Sequence, residues 1–241
     1  MCRLCLPRRT FLAATALLPI APASDAPIEP RLRLANPPPG SLNVALTLDA
    51  CPGAFDTRIA NTLIEHSVPA TIFVTAMWMQ RNPAGLALLL AHRDLFVIEN
   101  HGALHIPPVL GGGSIYGIKC AGDLDAIRRE VSDGATAIVN ATGGMPRWYR
   151  GATGFYSPSA LPTIRKLGFG IAGYFLNGDH GASLPAGTVA RRITGATNGD
   201  VIVAHINQPG RPSGAGVAAG VLDLLSRGAR FCHLDQPDPS A

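Results

Sequence analysis

Seven short, β-rich apolar runs recur along this chain, each followed by a turn and then a helix-like segment. No other feature restricts the fold as much. The runs are 44–48, 70–74, 95–98, 147–149, 171–176, 201–204 and 231–234. Between them the sequence predicts helices over 57–66, 83–92, 123–142, 157–167, 185–194 and 214–226. Several carry start signals: Asp56, Asp123, Ser157-Pro158 and Leu184-Pro185. Alternation of this kind buries a parallel sheet beneath crossover helices. Seven strands at this spacing point to an α/β fold, a distorted, incomplete (β/α)7 barrel. A doubly wound open sheet is the alternative.

The ends of the chain read differently from its body. Arg8-Arg9-Thr10-Phe11-Leu12 opens a short apolar segment that closes on Ala21-Pro22-Ala23. A basic start, a brief apolar stretch and small residues at a cleavage site predict a twin-arginine signal over 1–23. The segment is shorter than the roughly 20 residues a membrane helix needs, so no stable membrane insertion is expected. A proline-rich, extended leader over 24–41 precedes a single domain at 42–235, and 236–241 form a tail. The expected location is the periplasm or the outside of the cell. The formal charge of +4 loses Arg3, Arg8 and Arg9 with the signal and becomes about +1. That charge, without a basic run, leaves no footprint for nucleic acid. Cys51, Cys120 and Cys232 remain, which allows one disulfide whose pairing the spacing does not fix.

Polar residues follow the apolar runs. Asp49 closes the first, His101 and His105 follow the third, Arg150 the fourth, Asp179 the fifth, and His205 the sixth. In a parallel barrel these strand ends gather on one face, where chemistry sits. Singly, each has a plain structural explanation: a turn for Asp49, a surface cation for Arg150, an Asx turn for Asp179. Together on one rim they do not. His101 and His105, four residues apart, can bring two imidazole nitrogens onto one cation. The irregular stretch 106–120 lacks a phosphate-binding glycine motif and reads as a mobile rim loop.

These motifs carry a resemblance. Thr47-Leu48-Asp49-Ala50-Cys51-Pro52 is similar to the Thr-Phe-Asp-Asp-Gly-Pro of the polysaccharide deacetylases, the homology domain of carbohydrate esterase family 4. Asn100-His101-Gly102-Ala103-Leu104-His105 resembles that family's Asn-His-Ser/Thr-x-x-His. Ala70-Thr71-Ile72-Phe73-Val74 resembles its second strand, and Val203-Ala204-His205 its closing Leu-x-His. Arg150 stands at the third motif and Asp179 near the fourth.

The resemblance implies removal of N-acetyl groups from a glycan. In that reading a divalent metal, zinc as first guess, sits on His101 and His105. Asp49 is the general base, His205 the general acid, Arg150 the partner of Asp49, and Asp179 the partner of His205. Backbone N–H groups over 151–153 would steady the oxyanion.

The family's third metal ligand is the second aspartate of the first motif, and here that position is Ala50. Asp56 is taken as the replacement ligand, its plain alternative being the N-cap of the helix at Thr57. Binding by Asp49 itself, or by water, are other ways to fill the gap. Cys51 has a disulfide or packed role, with soft ligation as the other option. Gly102 replaces a hydroxyl residue, and Arg150-Gly151-Ala152-Thr153 lacks the usual proline and aromatic. Two competing readings stay open: a hydrolase of small amides or cyclic C–N bonds, and a glycan-binding protein without turnover. No Gly-x-Ser-x-Gly elbow suggests a serine hydrolase. Trp78, Trp148, Tyr149, Phe155 and Tyr156 offer either sugar-stacking faces or core. Nothing in the sequence speaks to oligomeric state.

Overall fold

The computed structural model describes residues 25–234. The expected signal over 1–23 and the tail over 236–241 lie outside them. In chain order the strands are β1 (Asn43–Ala50), β2 (Ala70–Val74), β3 (Phe96–Asn100), β4 (Ser114–Ile115), β5 (Ile118–Lys119), β6 (Trp148–Tyr149), β7 (Gly170–Ile171), β8 (Leu176–Asn177), β9 (Val201–His205) and β10 (Arg230–Cys232). The helices are α1 (Thr57–Glu65), α2 (Ala76–Arg81), α3 (Pro83–Ala91), α4 (Leu124–Thr142), α5 (Ala160–Lys166), α6 (Ala186–Thr194) and α7 (Ser213–Ser226).

The main sheet is parallel, in the order β7-β6-β3-β2-β1-β9-β8, with β10 against the start of β1. Followed around, the seven strands of this path keep chain order, and the gap lies between β7 and β8. A doubly wound sheet would reverse order at a switch point. The fold is therefore the incomplete (β/α)7 barrel.

Strand β1 is buried along its whole length, which is why it reads as an almost unbroken apolar run. Its side chains still alternate. Val44, Leu46, Leu48 and Ala50 enter the main core with Ile72 and Val74 of β2, Ile202 and Ala204 of β9, and Ile59, Leu63, Val217 and Val221 of the covering helices. Each fully buried Leu, Ile or Val there contributes roughly 1.5–3 kcal/mol. The other parity faces the barrel interior: Ala45 packs with Tyr174, Val201 and Val203. Thr47 and Asp49 follow on the same side, because the period of a strand is two.

The apolar run at 171–176 is not one strand. It divides into β7 and β8, at opposite edges of the sheet. The residues between them cross the open side of the barrel beneath the leader. A Cβ on Gly173 would lie 2.2 Å from the carbonyl oxygen of Pro30. The run is apolar because Ala172 and Tyr174 are buried at that crossing. The leader itself is stitched to the domain by bridges from Ile28 to Tyr156 and from Arg33 to Asp200.

The stretch at 106–120, expected to be an irregular rim loop, contains a short element of regular structure. It holds the antiparallel β4–β5 hairpin, and Leu110 N–H donates to Ser157 Oγ at 3.0 Å. Helix α2 was not expected; Thr75 caps it by accepting from Trp78 N–H at 3.0 Å. The disulfide that three cysteines allowed does not form: Cys51, Cys120 and Cys232 are free thiols. No helix among the described residues is long and apolar enough to cross a membrane.

Candidate active site

Arg150 sits inside the barrel, 1 % exposed. A guanidinium taken out of water costs several kcal/mol unless its donors are used, and this one makes four hydrogen bonds with its five N–H groups. Nη1 donates to Asp49 Oδ1 and to Thr47 Oγ1, both at 2.8 Å. Nε donates to the carbonyl of Ala172 and Nη2 to that of Gly173, each at 3.1 Å. The Phe73 ring lies under the guanidinium carbon at 4.2 Å. Burial alone would raise the Asp49 carboxyl. The Arg150 charge, with His101 and His205 behind it, outweighs burial and holds the group below its ordinary range. Asp49 is thus ionised and aimed.

The loop after β3 is shaped from two sides. Asn100 accepts from Gly102 N–H at 2.8 Å and donates to the Val131 carbonyl at 2.9 Å. Glu130, reaching in from α4, accepts from Leu104 N–H at 3.0 Å and Ile106 N–H at 3.1 Å. Gly102 has φ +89, and a Cβ there would meet the Glu130 carboxylate at 2.3 Å. Only glycine fits that approach, which accounts for the missing hydroxyl residue. His101 then uses Nδ1 on the Arg150 carbonyl at 2.6 Å, leaving Nε2 3.3 Å from Cys51 Sγ and 3.9 Å from Asp49 Oδ2. The His105 ring stands 5.0 Å from that of His101, and its Nε2 is buried without a hydrogen-bond partner.

Cys51, His101 and His105 place their ligand atoms within 4.8 Å of one another. Zinc bonds to nitrogen and sulfur run about 2.0–2.3 Å, so tetrahedral ligand atoms sit about 3.5 Å apart. A small closing of side chains would satisfy that. The donors suit such an ion: two imidazoles, one fixed by an outer hydrogen bond, one with an orphaned buried nitrogen, and one thiol. Burial would raise the Cys51 thiol, yet His101 and His105 beside it bring it well below its ordinary range.

Asp56, expected as the replacement ligand, is not among these residues; the structure places it in its plain alternative role, the N-cap. It caps α1, accepting from Arg58 N–H at 3.1 Å, and both its oxygens bond the Arg58 side chain, at 2.9 and 2.6 Å. A carboxylate paired twice by a guanidinium has little reason to swing away.

His205 ends β9 and is the register partner of Asp49 on the neighbouring strand. Its Nδ1 lies 2.8 Å from Asp179 Oδ1, and its backbone N–H donates to Asp179 Oδ2, also at 2.8 Å. Burial would lower the imidazolium's pKa, but the Asp179 charge and hydrogen bond raise it well above the ordinary value. Asp49, Arg150, His101, His105, Asp179 and His205 are therefore brought to one end of the barrel, as the strand-end pattern anticipated.

Other expectations are narrowed. Gly151 N–H is spent on the Tyr156 hydroxyl at 2.6 Å, which removes it from an oxyanion site. Trp78, Trp148, Tyr149 and Tyr156 are core; Phe155 is half-buried against the exposed ring of Tyr116, 6.2 Å away. Thr47 and Glu130 were missed. Glu130 left a signal, a lone acid on the apolar face of α4 among Ile127, Val131 and Ile138.

The sequence matches the polysaccharide deacetylase family over residues 36–172. No curated protein matches the chain. The fold is similar to that of a family 4 carbohydrate esterase from Streptomyces lividans in complex with acetate, with a TM-score of 0.63 at 19% identity, covering 83% of this chain and 99% of that one. It is likewise similar to a peptidoglycan deacetylase from Bacillus subtilis, at a TM-score of 0.66 and 19% identity, covering 80% and 88%. A family 4 pseudoenzyme from Bacillus anthracis matches at 0.63 and 18% identity over 80% of this chain, which spans only 64% of that structure's length. At these identities the likeness is one of fold.

Proposed function

Because this chain belongs to the polysaccharide deacetylase family, we propose that it hydrolyses the acetamide C–N bond of an N-acetylated glycan. The observation that carries the reading is the pairing of Asp49 and His205 across adjacent strands, each tuned in the opposite direction by its own partner. An acetamide resists water because its carbonyl is a poor electrophile and its amine a poor leaving group. Asp49, kept ionised by Arg150, takes a proton from the attacking water. His205, kept cationic by Asp179, gives a proton to the departing nitrogen, so that acetate and a free amine leave. His101 and His105, with Cys51 at the same point, would hold a divalent ion, zinc by its donors, which when bound polarises the carbonyl and acidifies a water.

The test is acetate release by the purified mature protein from a panel of chitooligosaccharides, alongside its metal content. Release that a chelator abolishes and zinc restores supports the reading. A second reading, glycan binding without turnover, is favoured by Ala50 at a ligand position and by the fold's likeness to a pseudoenzyme. Saturable glycan binding with no acetate released would establish it instead. We also propose twin-arginine export. Replacing Arg8 and Arg9 by lysine should leave precursor in the cytoplasm, and normal export of that variant would end the idea.

A further inference from the structure

We infer that Cys51 binds the metal as a thiolate, so that two nitrogens and a sulfur hold the ion where the family uses two nitrogens and a carboxylate. This rests on reading the rim as a metal-dependent site. Position 50 offers no ligand atom here. Ala50 is 0 % exposed and its side chain lies in the core against the covering helices. Alternation sends Asp49 toward the barrel interior instead, and Cys51, one residue past the end of β1, turns its sulfur to the same side. Asp49 is held by Arg150, and the Cys51 sulfur reaches His101 Nε2 at 3.3 Å.

Three further facts converge on the same point. His105 Nε2 is a buried polar atom with no hydrogen-bond partner, a costly state that a cation removes. His101 already spends Nδ1 on the Arg150 carbonyl, which presents the other nitrogen inward. Asp56, the nearest alternative acid in sequence, is fully engaged by Arg58. The consequence is selectivity. A thiolate with two imidazoles favours thiophilic ions such as zinc, cobalt(II) and cadmium over magnesium, calcium or manganese. It also leaves Asp49 unligated.

The experiment loads the full mature chain with cobalt(II) and records its absorption. A sulfur-to-cobalt charge-transfer band in the near ultraviolet is expected. Cys51→Ser should lose that band and weaken zinc binding about a hundredfold or more, since even outer-shell changes cost 10–100-fold. Cys51→Asp, which keeps a ligand atom, should still bind an ion but without the band and with more tolerance of manganese. In parallel, iodoacetamide should modify Cys51 slowly in the zinc-loaded protein and quickly after chelation, read by peptide mass analysis. Stoichiometric cobalt without the band, or unchanged zinc affinity in Cys51→Ser, would overturn the inference. So would equal alkylation in both states. None of these readouts involves acetate: the band without acetate release would sink the deacetylase reading alone, and release without the band would sink only this one.

Discussion

Asp179 grips His205 twice, one carboxylate oxygen lying 2.8 Å from the ring Nδ1 and the other accepting the backbone N–H of the same residue at 2.8 Å. The side-chain bond fixes the tautomer and the backbone bond fixes where the ring begins. An imidazole drawn partly out of water loses its proton more easily, so the carboxylate is what keeps this one charged.

His205→Ala should lower kcat by about 100-fold or more with metal content unchanged, the usual range for loss of a general acid. Asp179→Asn should lower it less and change the pH profile. A general acid must be protonated, so activity falls as pH rises through the raised pKa of His205. Without Asp179 that alkaline limb should move to lower pH. An active His205→Ala protein, or a limb that stays in place, would show that the pair has another role.

Asp56→Ala separates a helix cap from a metal ligand. Loss of the cap should cost about 1 kcal/mol, with some further loss because Arg58 gives up its partner. Zinc content and cobalt spectrum should match the wild type. Reduced zinc occupancy in this variant would mean that Asp56 leaves Arg58 when metal arrives.

The sequence showed the beat of strand and helix clearly, and the rim as well, because a parallel barrel turns strand ends into a shared address. Both departures are failures of one-dimensional reading. The run at 171–176 is apolar because the leader covers Ala172 and Tyr174, so periodicity could not distinguish a buried crossing from a strand. Matching Ala50 to the family's aspartate drew attention away from Cys51, whose sulfur turns to the same His101 nitrogen that Asp49 faces. Glu130 showed as a lone acid on the apolar face of α4, but its role did not, because its partners, Leu104 and Ile106, lie far away in sequence.

Glu130→Ala should loosen the loop that presents both histidines. Its carboxylate accepts N–H groups on either side of His105, and leaving buried N–H groups unpaired costs about 1–3 kcal/mol each. We expect a stability loss of that order and a 10- to 100-fold fall in zinc affinity, typical of a lost outer-shell support. Glu130→Gln keeps an acceptor oxygen and should recover part of both. Unchanged zinc affinity in Glu130→Ala would mean the loop holds its shape without the clamp.

Glu99 provides a pH test away from the site. It is 5 % exposed, and its Oε2 accepts from the backbone N–H groups of Arg147 and Trp148 at 2.7 and 2.8 Å. Burial raises its pKa to about 7, with the two N–H groups and the Arg147 charge opposing only in part. The folded value exceeds the unfolded one, so the folded state favours the protonated acid. Stability from this group is complete below about pH 4.5 and is lost as pH rises to about 7. At about 1.4 kcal/mol per unit the loss is of order 3 kcal/mol, or about 6–12 °C in Tm for a domain of this size. Glu99→Gln never ionises, and its oxygen can still accept both N–H groups. It should be no more stable than wild type at pH 5, where its extra N–H donors add a cost, and should gain on it steadily by pH 8. Thermal unfolding of both proteins across that range isolates the effect, since every other titrating group is common to the two. Parallel curves would mean that Glu99 is ionised in the folded protein throughout, its two N–H partners outweighing burial.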